Sequence, residues 1–456
     1  MSKQDKPLSL PRTLAYAGIA IPLAAVGLPI SVYIAPLYAE NVGLGRTMTG
    51  TIFMVLRFWD ILTDAIMGVL VDRVKSPWGR VRHWILLGVP VLCLGTFFIY
   101  IPPQSGVGPM YFAGWLIVFY VGFTLIQTAY QAWAPAIATD YDDRTRLFKW
   151  REIFNIGALI ALLVIPSLIG SFFNLDRFGV VAIMGVALIV TAPLTTILAS
   201  VFVPDPFIEE ATDEQEKPSW RDYKEALSSR PLWQILSVEV LVGIAIASTA
   251  ANYLDLAKVS YGMGQSAGSI LVLFFISGIA TLPFWMRLAE RTEKHVALRW
   301  ILGLTAIAYL SWLGLGRIGG GFALAFGAII SGVTFGSPFA LARSMLADVT
   351  DDTLLKTGKN RAGLYYSMMT GAYKLGAGLA VGITYPMAEI LVGFDPSQDN
   401  TPAQIFGFEL IFVLVPVISY ALAMVLIWKF PITRRMQMAT RDALAAKSDA
   451  DAQNPV

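Results

Sequence analysis

Runs of about 20 apolar residues recur along nearly all of this chain, and that recurrence leaves few folds open. A hydrocarbon core about 30 Å thick is crossed by about 20 residues of α-helix, whose backbone polar groups are satisfied within the segment itself. Twelve runs fit that ruler, at about residues 14–38, 50–71, 84–101, 110–137, 152–173, 179–203, 231–257, 266–287, 296–315, 321–346, 362–391 and 404–430. Composition agrees: 56% of the 456 residues are hydrophobic and 14% are charged, against about 25% charged in ordinary soluble domains. The expected fold is an all-α membrane protein with twelve transmembrane helices.

One polar stretch divides the series. Residues 204–230 carry Glu209, Glu210, Asp213, Glu214, Glu216 and Lys217. They separate an N-terminal six-helix half (1–203) from a C-terminal one (231–430), and a polar tail (431–456) reads as disordered. Within the connector, 220–227 has the pattern of a short amphipathic helix lying on the membrane. The apolar run after Arg12 is too long for the core of a secretory signal, so it reads as a retained first membrane helix.

Basic residues set the orientation. Arg73, Lys75, Arg80 and Arg82 follow the second span, and Arg144, Arg146, Lys149 and Arg151 follow the fourth. Arg287, Arg291, Lys294 and Arg299 follow the eighth, Lys356, Lys359 and Arg361 the tenth, and Arg434, Arg435 and Arg441 the twelfth. The opposite loops hold little more than Arg46, Arg177 and Arg317. Both termini are expected in the cytoplasm, with the chain a multi-pass protein of a plasma membrane, the bacterial inner membrane being the natural setting.

A faint repeat relates the halves. Ala138-Thr139-Asp140-Tyr141-Asp142-Asp143 ends span four, and Ala347-Asp348-Val349-Thr350-Asp351-Asp352 ends span ten, six helices later. Acids beside basic loops at matching ends suit a cytoplasmic gate of inter-helix ion pairs, with Asp72, Arg80, Asp140, Arg144, Asp348 and Asp351 as its candidates. Ordinary solvation of helix ends is the plainer alternative. Two six-helix halves joined by a charged loop are the layout of the major facilitator fold.

Within this apolar frame, Asp60 and Asp64 sit one turn apart in Phe58-Trp59-Asp60-Ile61-Leu62-Thr63-Asp64-Ala65. An acid at the centre of a spanning helix costs about 2.5–3.5 kcal/mol. Spacing of four places both on one face, with Arg57 three residues before Asp60 and Thr63 beside the pair. Carboxylate and hydroxyl oxygens at membrane depth suit Na⁺, and a carboxyl raised by burial or by its neighbour suits H⁺; both remain open. The competing reading is a structural network neutralised by Arg57.

Lys374, in Gly371-Ala372-Tyr373-Lys374-Leu375-Gly376-Ala377-Gly378, is the second charge at depth and calls for an acidic partner or a wet cavity. Thr124, Gln127 and Gln131 share a face of span four, near Tyr130 and Trp133. That is a polar wall with an aromatic platform for a ring or a hydroxylated solute, or else a set of inter-helix hydrogen bonds. Glu239 lies early in span seven, with Asn252 and Asp255 late in it, where solvation or pairing at helix ends would account for them.

Other functions lack a footing. A formal net charge of +2 gives no basis for nucleic-acid binding. One cysteine, Cys93, and two histidines, His83 and His295, supply neither a disulfide nor a cysteine–histidine metal cluster. No nucleophile elbow or phosphate-binding loop is present, so no enzyme activity and no cofactor beyond a coupling ion is expected.

Arg57-Phe58-Trp59-Asp60, Asp64, Ile66-Met67-Gly68, Asp72, Ser76-Pro77-Trp78-Gly79-Arg80 and Trp84 closely resemble the signature of the glycoside-pentoside-hexuronide:cation symporters. The resemblance runs from span one through the loop after span four, and returns at Ala347-Asp348 and at Thr370 with Lys374. It implies a cation site at Asp60, Asp64, Thr63 and Thr124, although the family usually has asparagine where this chain has Thr63. It implies that Lys374 links cation and solute, with Arg57 in the same charge network, and that Thr370 and Arg151 contact a sugar. Where the family's best-known member places two sugar-gripping acids, this chain has Ala24 and Gln127. Losing both anionic grips while keeping Lys374 and Arg151 points to a sugar acid or another anionic solute.

The expectation is thus a symporter of a sugar or sugar-derived solute, driven by Na⁺ or H⁺ through alternating access. Its substrate contacts are Ala24, Gln127, Gln131, Trp133, Arg151, Thr370 and Lys374. Its partners are the solute, the cation and the lipid bilayer, with no nucleic acid, and it is expected as a monomer. The alternative keeps the fold and changes the cargo: sodium-dependent lysophosphatidylcholine symporters resemble this chain in the same span-two acids.

Overall fold

A computed structural model describes residues 9–453 apart from 28, 75, 77, 78, 80, 138–140, 206–219, 265, 266, 360 and 397. Helices α1 (Leu10–Gly18) and α2 (Ala20–Ala24) lead into π-helical turns at Ile30–Ile34 and Leu37–Asn41. Next come α3 (Arg46–Arg73), α4 (Arg82–Tyr100), α5 (Pro109–Ile137), α6 (Tyr141–Phe173) and α7 (Arg177–Phe202). The short α8 (Trp220–Ser228) precedes α9 (Arg230–Val259), α10 (Ala267–Arg291), α11 (Lys294–Leu310) and α12 (Trp312–Ile318). The chain continues with α13 (Gly320–Gly332), α14 (Ser337–Thr357), α15 (Ala362–Pro386), a π turn at Met387–Leu391, α16 (Pro402–Leu426) and α17 (Arg434–Gln453).

Nine helices among the described residues are long and apolar enough to cross a membrane, which makes this an all-α, multi-spanning membrane fold. The expected spans outside that set are the first, second and eleventh, and each has a physical reason. The first is broken into short pieces around Pro22, Pro29 and Pro36, which lack the N–H that a continuous helix needs. The second, α3, carries Arg57, Asp60 and Asp64, and the eleventh, α15, carries Lys374. The charges expected to do chemistry are the ones that dilute these two helices.

The helices pack as two compact units. The first comprises Met1–Ala211, Ala250–Val272 and Val381–Phe408; the second comprises Thr212–Thr249, Leu273–Ala380 and Glu409–Val456. In the first unit α4 and α5 meet backbone to backbone: a Cβ on Gly95 would stand 2.6 Å from Phe119 Cα. The loop between α3 and α4 is held by Asp205, whose carboxylate accepts the Val81 and Arg82 amides at 3.1 Å each. Gly79, with φ +118°, lies against that carboxylate where a side chain would collide with it.

In the second unit α13 and α14 are separated by a break at 333–336, with Gly336 at φ +82°. The break is fastened rather than loose. The Val333 carbonyl accepts from Trp285 Nε1 at 2.8 Å, and Thr305 donates to Thr334 at 2.7 Å. Residues 434–453 differ from the expected disordered tail: they form α17. The Arg434 amide donates to Glu293 Oε2 and its guanidinium to the Glu290 carbonyl, both at 2.8 Å, and Thr440 is buried. Composition gave the tail no apolar run, but it finds charge partners at the ends of α10 and α11.

Candidate cation and solute site

In the first unit, helix periodicity turns Asp60 inward while Trp59 and Leu62 face outward, and Asp60 is 0% exposed. Both of its carboxylate oxygens accept hydrogen bonds. Arg57 Nη1 donates to Oδ2 at 3.2 Å, and Thr124 Oγ1, from α5, donates to Oδ1 at 3.3 Å. The Arg57 guanidinium also lies over the Tyr120 ring, 5.4 Å from its centroid. Thr63 turns its hydroxyl back onto the Asp60 carbonyl at 3.0 Å. Asp64 follows one turn later, half-buried and with contacts of its own. Of the expected cation residues Asp60, Asp64, Thr63 and Thr124, a hydrogen bond joins Thr124 to the Asp60 carboxylate, while the Thr63 hydroxyl is turned to the backbone; Arg57, expected in the charge network, pairs with Asp60. No group of three or more His, Cys, Asp or Glu able to hold a metal ion occurs among the described residues. Any cation here would use carboxylate and hydroxyl oxygens.

The span-four wall is only partly a wall. Gln127 is half-buried and Gln131 exposed, as a solute-facing pair would be. Trp133 is fully buried: its Nε1 donates to the Pro204 carbonyl at 2.9 Å, and its ring meets Tyr16 edge-on at 6.2 Å. That indole braces the bundle and leaves no face for an aromatic platform. Tyr130 stacks on Tyr16 at 4.4 Å, and the Arg151 guanidinium lies over its ring, 5.5 Å from the centroid. Ala24 is buried in α2.

In the second unit α15 presents Tyr366, Ser367 and Thr370 on one exposed face, with Lys374 half-buried one turn on and engaged in contacts of its own. Thr370 Oγ1 donates to the Tyr366 carbonyl at 3.0 Å. α15 is pressed against α9: a Cβ on Gly243 would stand 2.6 Å from the Tyr373 carbonyl, and Gly376 abuts the Val240 carbonyl.

A buried acid on α3, a half-buried lysine on α15 and a polar helix face are features that suit a transporter. The sequence matches MFS/sugar transport proteins over residues 15–434. The chain belongs to that family. It is a multi-pass membrane transporter and not an enzyme. Among its relatives, the sodium-dependent lysophosphatidylcholine symporter 1 of Homo sapiens is 21% identical over 89% of this chain and 80% of that protein. The glucuronide carrier protein homolog of Escherichia coli (strain K12) is 25% identical over 88% of each. The crystal structure of the nucleoside transporter NupG superposes with a TM-score of 0.65 at 14% identity, covering 93% of this chain and 100% of that one, a likeness of fold.

The gate residues of this MFS chain fare unevenly. Asp348 takes Lys294 Nζ at 2.6 Å, and Arg441 Nε lies 3.8 Å from Asp351 Oδ2, both within the second unit. Those acids tie α14 to α11 and α17. Arg80 and Asp140 lie outside the described residues, as do the side chains of Asp72 and Arg144.

One feature of the first unit escaped the sequence. Arg46 is 3% exposed and donates from Nη2 to Glu40 Oε1 at 3.2 Å and to Asp255, and from Nη1 to Asn252 Oδ1 at 3.1 Å. Arg177 donates to Glu40 Oε2 at 2.8 Å and stands 3.5 Å from Asp255 Oδ1. Asn252 continues to Thr384 at 3.2 Å, and the Arg46 guanidinium packs over Tyr385, Phe394 and Phe408 at 4.8, 5.1 and 5.2 Å. Two acids and two arginines thus close a buried network. Its sequence signal was the late Asn252 and Asp255 of span seven together with the few basic residues of the loops opposite the basic side.

Proposed function

We propose that this transporter moves its solute together with a cation, Na⁺ or H⁺, held at Asp60 with Asp64 and Thr124, and that the solute is an amphiphile of the lysolipid type. The cation half rests on one observation: a carboxylate at 0% exposure, on the long helix α3, reached by both an arginine and a threonine hydroxyl. A cation entering there would lower the cost of keeping that charge at depth. The cargo half draws on relatives. Sodium-dependent lysophosphatidylcholine symporters of Homo sapiens, Mus musculus and Xenopus tropicalis match 89%, 97% and 85% of this chain.

A second reading keeps the cation and carries a sugar-derived anion, as the glucuronide carrier homolog and a putative glycoside/cation symporter of E. coli suggest. Gln127, Gln131, Arg151, Thr370 and Lys374 are then the solute contacts. In either case we place twelve spans in two halves, 1–203 and 231–430, with both termini in the cytoplasm and alternating access as the cycle.

Thermal shift of the purified protein separates the readings. Lysophosphatidylcholine, glucuronides and neutral glycosides are each added with and without Na⁺, because a true ligand raises apparent stability by mass action. Sodium-enhanced stabilisation by lysolipid supports the first reading. Stabilisation by glucuronide alone moves the assignment to the second. No cation dependence with any solute ends both.

A further inference from the structure

One arginine of α14 stands close to the end of an apolar run. Arg343 lies on α14, seven positions into Ser337–Thr357, and its side chain is exposed. Guanidinium in contact with hydrocarbon costs several kcal/mol, so such a residue is retained where it faces water, a ligand or a headgroup. No ion pair closes on it among the described residues, and Glu239 of α9, which is 3% exposed, lies within its electrostatic reach.

Its surroundings are built. The Tyr366 hydroxyl donates to the Arg343 carbonyl at 3.3 Å, which fixes this turn of α14 against the polar face of α15. One turn earlier, Phe339 meets the Tyr373 ring edge-on at 5.3 Å. The close approach of α9 to α15 at Gly243 and Gly376 brings the Glu239 helix to the same corner of the second unit. Phe339, four residues earlier, shares the Arg343 face of α14, so the exposed arginine lies on the side where that ring meets Tyr373 of α15.

We infer that Arg343 binds the anionic group of the transported solute, a phosphate, sulfonate or carboxylate, while Phe339 and Tyr373 take the apolar portion next to it. The planar fork of donors matches such oxyanions two bonds at a time, which an ammonium at Lys374 cannot do. The inference rests on the symport reading above and sharpens its substrate class. A lysolipid headgroup and a sugar acid offer the same chemistry to this residue.

The test uses matched pairs with the full-length protein in proteoliposomes under a sodium gradient. One pair is p-nitrophenyl-β-D-glucuronide and p-nitrophenyl-β-D-glucoside; the other is oleoyl-lysophosphatidylcholine and monooleoylglycerol. Arg343→Gln should weaken uptake and binding of the anionic member by about tenfold or more and leave the neutral member within about twofold. Arg343→Lys should fall between. Sodium-dependent thermal stabilisation unchanged in both variants shows that the fold and the Asp60 site are intact. The pair that responds tells a lipid headgroup from a free organic anion. Equal loss for both members, or no loss for either, overturns the assignment and makes Arg343 a structural or headgroup-directed residue. Wild-type uptake of neutral members alone also overturns it while symport stands, and absence of any cation-stimulated uptake overturns both.

Discussion

Asp60 and the Glu40–Arg46–Arg177–Asp255 network are both buried charge groups of the first unit, yet they are built in opposite ways. Asp60 meets Arg57, three residues earlier on its own helix, and Thr124 of α5. The network joins a π turn, α3, α7 and α9, and Asn252 extends it to Thr384 of α15; Arg46 reaches across 206 and 209 residues of sequence. The Arg57–Asp60 contact lies within one helix and keeps its shape when helices shift, although Thr124 comes from another. A network drawn from distant segments cannot persist if any of them moves away. The first design suits binding, and the second suits holding the unit together.

Substitutions can break this contrast, starting with the largest effect. Arg46→Ala leaves Glu40 and Asp255 buried with half their compensation, and removing one partner of a buried pair costs about 3–5 kcal/mol. Thermal unfolding in detergent should show that loss. The double change Arg46→Gln with Asp255→Asn should recover part of it, because no uncompensated charge then stays at that spot. Full additivity of the two single losses would count against a coupled network.

Asp60→Asn should behave conversely. It keeps the size of the side chain but removes the carboxylate that Arg57 meets, so stability should fall by about 1–3 kcal/mol, while cation-stimulated uptake falls by about a hundredfold. A cation response equal to wild type would remove Asp60 from the site. Thr124→Val deletes one oxygen beside Asp60 and should weaken apparent cation affinity about fivefold, measured as the half-saturating sodium concentration. Thr63→Val should change that value by less than about twofold, because the Thr63 hydroxyl is turned to the Asp60 backbone. A larger shift would show that Thr63 reorients on binding.

Much of the helical frame was legible because it depends on apolar length and on little else. The pairing of Asp60 with Thr124 was legible only through the family resemblance, since 64 residues separate them and no local period links them. Trp133 misled for the same reason: a mid-span tryptophan reads as a platform until its N–H is seen bonded to Pro204. Arg46 and Arg177 looked like loop charges, and Asp255 like a helix end, because ion pairing between distant segments leaves no pattern in sequence. Arg343 was hidden by its position near the end of an apolar run, where a basic residue ordinarily marks the membrane edge. The α17 helix was hidden because its fastening lies in the residues it touches.

The dilution of α3 and α15 by charge has a consequence for biogenesis. A nascent helix partitions from the translocon into lipid according to its own hydrophobicity, and each acid or base near its centre opposes that step. The two helices that carry Asp60 and Lys374 are therefore the ones least able to enter the bilayer alone. The apolar helices that follow them in the chain, α4 after α3 and α16 after α15, would favour their entry. Translation paused or truncated just after either helix would leave it outside the membrane, whereas the same truncation after α7 or α10 would not.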